Sequence, residues 1–169
     1  QVRAAAARTL GKLSLPEAAG LIGGALADDD ERVRVAAIEA AGECGAVALA
    51  PALETLVRGR DGLRAVGAVR ALARLGCMSS AVLSAAARHP DAEVVKEALV
   101  CGAVMSEGVA VAVAVLAHPR WDVRAAAARV LGASGGAANL DAVRAALRAE
   151  TDPLAQEALA EAAARLAER

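Results

Sequence analysis

The feature that most constrains this chain is that it repeats itself. "VRAAAARTLGKLS" from Val2, "VRVAAIEAAGECG" from Val33 and "VRAAAARVLGASG" from Val123 are one pattern. Weaker copies align without insertion when Arg64, Val94 and Ala155 take the place of the leading Val, in "DGLRAVGAVRALARLG", "DAEVVKEALVCGAVMS" and "DPLAQEALAEAAARLA". The anchors 2, 33, 64, 94, 123 and 155 are separated by 31, 31, 30, 29 and 32 residues. A period of this length marks stacked supersecondary units, each with an apolar face it cannot bury alone. The expected organisation is a single repeat domain over 1–169, with repeats near 1–29, 30–60, 61–90, 91–119, 120–151 and 152–169. Because the chain opens in mid-pattern, it is expected to be a fragment of something longer.

Within a unit, the segment after the anchor carries small or apolar residues at helical spacing and runs to Gly11, Gly42, Gly76 or Gly132. At each of these, glycine is expected to close the helix in the left-handed conformation. This is helix A. A second apolar segment follows, from Pro16, Pro51, Ser80 or Asn139, and forms helix B. Turns such as "DDDERV", "GRDGLR", "HPDAEV" and "TDPLA" lead to the next anchor. The pattern predicts an all-α fold of six A and five B helices, with no sheet.

Composition agrees with thin layers. About three residues in ten are alanine, and there is one Trp with no Phe or Tyr, so the bulky side chains of a thick core are missing. Lys+Arg 19 against Asp+Glu 20 gives a formal charge of -1, which argues against a nucleic-acid binder working through a strong basic field. No apolar run reaches the ~20 residues of a membrane span, and no signal peptide is visible. The chain reads as soluble and cytoplasmic, and its Ala, Arg and Val usage as bacterial. Cys44, Cys77 and Cys101 fall at different phases of their repeats, form no CxxC pair and have no clustered His, so unpaired thiols and no metal site are expected.

An Asp lies three before the anchor at Asp30, Asp61, Asp91 and Asp152. Val-Arg pairs stand at Val2-Arg3, Val33-Arg34 and Val123-Arg124, and a Leu-Gly end at Leu10-Gly11 and Leu131-Gly132. With the ~30-residue period, these residues make the whole chain resemble the HEAT-repeat family, specifically the short HEAT-like repeat of the phycobilin-lyase (PBS lyase) type. The resemblance implies a right-handed α-α superhelix of about five and a half helix pairs, with B helices on the concave side. Ala65, Val95 and Gln156 depart from the Arg, and Arg120 from the Asp. At the repeat boundaries, Asp is expected to cap helix A or to pair with the Arg of an adjacent repeat.

The stretch "SEGVAVAVAVLAHPRWDVR" alternates Val and Ala like a strand, yet repeat phase puts Gly108 to Ala117 in a B-helix slot. On a helix, Val109, Val113 and Leu116 share one face, with Val111 and Val115 nearly opposite. The segment is then either tightly enclosed filling or an exposed apolar strip for a partner. Trp121 in the following turn is either a binding hot spot beside Arg120 or a lid over Pro119 and the helix ends. His89 and His118 recur five before their anchors, which favours a structural or solvated role over catalysis. In the terminal unit, Glu157, Glu161, Arg165 and Glu168 at helical intervals are expected to form a solvated cap or to mark a cut end.

The function expected is a protein-interaction scaffold, not an enzyme, that presents a concave helical surface to a protein or peptide. The partner is placed across repeats 4 and 5, at Val111, Val115, Arg120, Trp121, Asp141 and Arg144. No catalytic, cofactor-binding or metal residue is identified. Self-association through the repeat ends is a second contact to consider. The alternative is an accessory or catalytic subunit of a phycobilin-lyase-like chromophore-attachment complex. A HEAT-like DNA glycosylase would need a basic, aromatic-lined face, which one Trp and a charge of -1 do not supply.

Overall fold

A computed structural model describes residues 1–13 and 17–169; Pro16, the expected start of the first B helix, lies outside the described residues. Among the described residues there are eleven α-helices and no strand. The A helices are α1 (Val2–Leu13), α3 (Glu31–Glu43), α5 (Gly62–Arg74), α7 (Ala92–Gly102), α9 (Trp121–Ser134) and α11 (Pro153–Ala167). The B helices are α2 (Ala18–Ala25), α4 (Ala50–Val57), α6 (Ser80–Ala87), α8 (Gly108–Ala114) and α10 (Leu140–Ala149). The strand-like alternation at 108–114 is therefore helical, as repeat phase requires.

The chain forms two compact units, Gln1–Val94 and Val95–Arg169, and the division falls inside α7. In the first unit α1 packs on α3 and α3 on α5, while α2 lies against α1 and α3, and α4 against α5 and α6. In the second, α9 packs on α11, α8 on α9, and α10 on α11. The terminal helix buries Ala155, Ala158, Leu159, Ala162 and Leu166 and leaves Glu157, Glu161, Arg165 and Glu168 exposed.

The aspartates cap the A helices. Asp30 accepts the N–H of Arg32, Asp61 that of Arg64, and Asp152 those of Leu154 and Ala155, satisfying donors that the first turn leaves unpaired. The glycines behave differently from the sequence expectation. Gly76 does take a positive φ of 66°. Gly11, Gly42 and Gly132 instead lie buried within their helices, at positions where two helices nearly touch. A Cβ on Gly11 would stand 2.8 Å from Ala40 Cα, on Gly42 2.9 Å from Ala71 Cα, and on Gly132 3.1 Å from Ala162 Cα. Each is nine after its anchor and faces the alanine seven after the next one. The Leu-Gly signature thus sets the distance between A helices, and the thin Ala-rich core follows from it.

Candidate binding grooves

The turn between a B helix and the next A helix uses one position in the same way in both units. Five residues before each anchor stand Asp28, Gly59, His89, His118 and Glu150. In four of them the side chain accepts the backbone N–H two residues on. Asp28 Oδ1 takes Asp30 N–H at 2.9 Å, His89 Nδ1 takes Asp91 at 3.0 Å, His118 Nδ1 takes Arg120 at 3.1 Å, and Glu150 Oε1 takes Asp152 at 2.9 Å. An acceptor of the right reach is what the site requires, so Asp, His and Glu interchange.

The residue one after the anchor secures the carbonyl at the same turn. Arg34 donates to the Asp28 and Asp29 carbonyls, Arg124 to those of His118 and Pro119, and Gln156 to that of Glu150. Arg3 and Arg124 also reach forward to the next turn's acid. Arg3 holds Asp28 through two bonds of 2.9 Å, and Arg124 holds Glu150 through two of 2.6 Å. The first pair is exposed; in the second the Glu150 side chain is only 2% exposed. Two bonds to Arg124, helped by N–H groups of Asp152 and Thr151, outweigh burial and hold the Glu150 carboxyl down at about 2.

In the third repeat the Arg is replaced by Ala65, and His89 takes over its task. Because His89 Nδ1 accepts from Asp91, its proton is assigned to Nε2, which donates to the Gly59 carbonyl at 2.7 Å. His89 is buried, and it joins two successive turns by a neutral hydrogen bond where Arg124 uses an ion pair. The sequence marked the two histidines by their phase; what it did not reveal is that Asp28 and Glu150 share the slot.

Beside this slot lie two equivalent grooves, one per unit. The first, about 730 Å³, runs between α4 and α6, floored by Val57, Ala85 and Pro90, with Arg58, Arg60 and Arg88 at its edge. The second, about 550 Å³, runs between α8 and α10 and is lined by Val113, Leu116, Ala142, Ala146 and Ala149, with the Arg124–Glu150 pair against it. Both volumes suit side chains of a docked segment.

The six residues expected at a partner site are not gathered in one place. Val111 is half-buried on α8. Val115 is buried: the helix ends at Ala114, and the Val115 N–H closes onto the Val111 and Val113 carbonyls as its side chain packs inward. The expectation that it forms part of an exposed strip is corrected; Ala110, Ala114 and Ala117 are what α8 and its end expose. Asp141 and Arg144 are exposed on α10. Arg120 and Trp121 begin α9, and Trp121, 41% exposed, lines a separate cleft of about 290 Å³ with Arg129, Leu154, Glu157 and Glu161 of the A helices α9 and α11. Arg120 pairs with Asp122, which Lys96 also holds at 2.8 Å, and both cations keep that carboxyl far below its usual range. Among the described residues no cluster of three or more His, Cys, Asp or Glu could hold a metal, and no helix is long and apolar enough to cross a membrane.

Residues 1–73 match the family model for HEAT repeats. No curated protein sequence matches the chain. Among solved structures, one engineered protein is similar with a TM-score of 0.58 at 19% identity, covering 98% of this chain and 92% of that one. Another engineered protein gives 0.53 at 22%, with 98% and 90% covered. The complex of CpcE and CpcF of phycocyanin lyase from Nostoc sp. PCC7120 gives 0.50 at 22%, with 95% and 73% covered. These likenesses are of fold. Residues 1–73 are thus similar to HEAT repeats, and the chain is all-α and built from successive helix pairs.

Proposed function

We propose that the protein is an interaction scaffold whose B-helix face receives a segment of a protein partner, in a reducing, cytoplasmic setting that suits its three cysteines, none of which is in a disulfide. The observation that carries this is the groove between α8 and α10. It is a preformed, alanine-lined trough whose one buried acid is engaged by Arg124 through two bonds, which suits the surface to contact with a docked segment. The partner meets the alanines of α10, with Val111, Asp141 and Arg144 at the margins. Arg120 and Trp121 form a second contact patch around the α9 start. Truncating a hot-spot Trp costs about 2 kcal/mol of binding or more, so Trp121→Ala tests that patch separately.

The experiment is site-specific photo-crosslinking in extract of the source cells, with benzoylphenylalanine at Ala146 in the groove or at Ala164, exposed on α11. A discrete adduct from position 146 and none from 164 is the expected result; equal labelling from both, or none from either, would overturn the reading. A chromophore-attachment role is a second reading, favoured by the likeness to the lyase complex. A shifted bilin absorbance on mixing with pigment would select it.

A further inference from the structure

The two B-helix grooves occupy the same place in the repeat; the Arg124–Glu150 pair of the second is neutral as a pair, and three further positions make the grooves differ in net charge. Six before the anchor, the first groove has Arg58 and Arg88 where the second has Ala117 and Ala149. Four before the anchor, the first has Arg60 at its leading turn where the second has Pro119. The fold therefore does not need arginine at any of them, since the second unit builds the same turn with Ala and Pro. All three are exposed. Arg58 pairs with Glu54 at 3.2 Å, and Arg88 bonds the Ser84 hydroxyl. Among the described residues, neither Arg60 nor Arg88 has a carboxylate partner.

We infer that the groove between α4 and α6 binds an acidic peptide segment, with Arg58, Arg60 and Arg88 taking its carboxylates and Val57, Ala85 and Pro90 taking its aliphatic side chains. The inference rests on the scaffold reading and names the partner's chemistry. Guanidinium forks match carboxylates two bonds at a time, and the aliphatic floor gives a peptide something that a free anion cannot use. A nucleic acid fits less well. The only Trp, Tyr or Phe of the chain is Trp121, in the other unit, and the His89 ring beside the groove is buried, so no exposed ring serves base stacking here, and three cations neutralise few phosphates. The N-terminal groove thus selects by charge.

The test is fluorescence anisotropy on the whole chain with three labelled ligands: a dodecapeptide of Glu-Glu-Leu repeats, its Lys-Lys-Leu counterpart and a dT12 oligonucleotide. Arg60→Glu/Arg88→Glu is compared with Arg148→Glu/Arg165→Glu, which changes net charge equally but away from the groove. A rim ion pair is worth up to about fivefold in affinity and reversal adds repulsion, so at least about a tenfold loss is expected for the groove variant alone. The acidic peptide should bind more tightly than the other two ligands, and inorganic phosphate at equal ionic strength should not displace it. Circular dichroism checks folding, and Arg60→Gln/Arg88→Gln replaces the reversal if that variant unfolds. Equal loss in both charge variants, tighter binding of dT12, displacement by phosphate, or no binding of the acidic peptide would overturn the inference. A crosslinked adduct at position 146 that survives Arg60→Glu/Arg88→Glu would leave the scaffold reading standing while this one fails, whereas loss of every adduct removes both.

Discussion

The groove between α4 and α6 and the groove between α8 and α10 share a turn geometry but secure it with different chemistry. In the first, His89 spans to the Gly59 carbonyl by one neutral hydrogen bond, and the surrounding rim is arginine. In the second, Arg124 spans to Glu150 by a buried bidentate ion pair, and the rim is alanine and proline. Each of these grooves has a polar tie between the two turns beside it. The repeat leaves the identity of the tie open. Cations are spent inside the second unit's turn and set outside the first unit's, so equivalent sites acquire opposite surface character without any change in backbone plan.

The comparison is broken most severely at Arg124. Arg124→Ala leaves Glu150 as a buried carboxylate without its cation and frees the His118 and Pro119 carbonyls, and removing one partner of a buried pair costs about 3–5 kcal/mol. Hydrogen exchange should show α9 to α11 losing protection while α1 to α5 keep theirs. A loss below about 1 kcal/mol would mean that packing of Gly132 on Ala162, and not the ion pair, holds the second unit. At His89 the expected loss is smaller, because the group left behind is neutral: His89→Ala should cost about 1–3 kcal/mol, from the Gly59 carbonyl and the Asp91 N–H left unpaired. Thermal unfolding in low and high salt should show this difference to be insensitive to salt, in contrast to an ion pair.

The second tie also depends on pH. The folded-state value for Glu150 lies at about 2, below the ordinary 4.5, so the stability it provides is complete above about pH 4.5 and is lost as pH falls towards 2. Glu150→Gln keeps the shape and removes the charge, at a cost of about 1–2 kcal/mol near pH 7. Below about pH 4.5 the gap between variant and wild type should close, because the unfolded carboxyl takes up a proton that the folded one still refuses. A gap that stays constant from pH 7 to 3, measured by denaturant unfolding, would show that Glu150 acts through shape alone.

Much of this plan was legible in the sequence, because anchors and Asp caps keep fixed distances along the chain and a helix start is a local event. The B-helix identity of 108–114 followed from phase even against its alternating Val and Ala. The turn slot was hidden because carboxylates of two lengths, Asp28 and Glu150, share it with the imidazole of His89, so alignment by residue type does not bring them together. Gly11, Gly42 and Gly132 misled for another reason: helix closure and close helix contact both select glycine, and only the facing Ala40, Ala71 and Ala162 decide between them. Trp121 was placed with Asp141 and Arg144 on one partner path across repeats 4 and 5. Its position as the first residue of α9 turns it instead to the cleft beside α11.

If the two ties are interchangeable solutions to one geometric demand, the second can be built into the first unit. Ala65 occupies the position of Arg34 and Arg124, one after its anchor, and His89 the position of Glu150. His89→Glu alone should destabilise by about 3 kcal/mol or more, since it buries a carboxylate without a cation. Adding Ala65→Arg supplies that cation and a donor for the Gly59 carbonyl, which His89 holds in the wild type. The double variant should therefore return to within about 1 kcal/mol of the wild type at pH 7, the surplus being the adjustment of a tightly packed core. It should also acquire a loss of stability as pH falls below about 4.5, carried by the new carboxylate. Pairwise coupling read from the single and double variants decides the matter. If Ala65→Arg and His89→Glu are each as damaging together as apart, the turn of the first unit is shaped for histidine specifically, and the equivalence of the two grooves ends at their backbone.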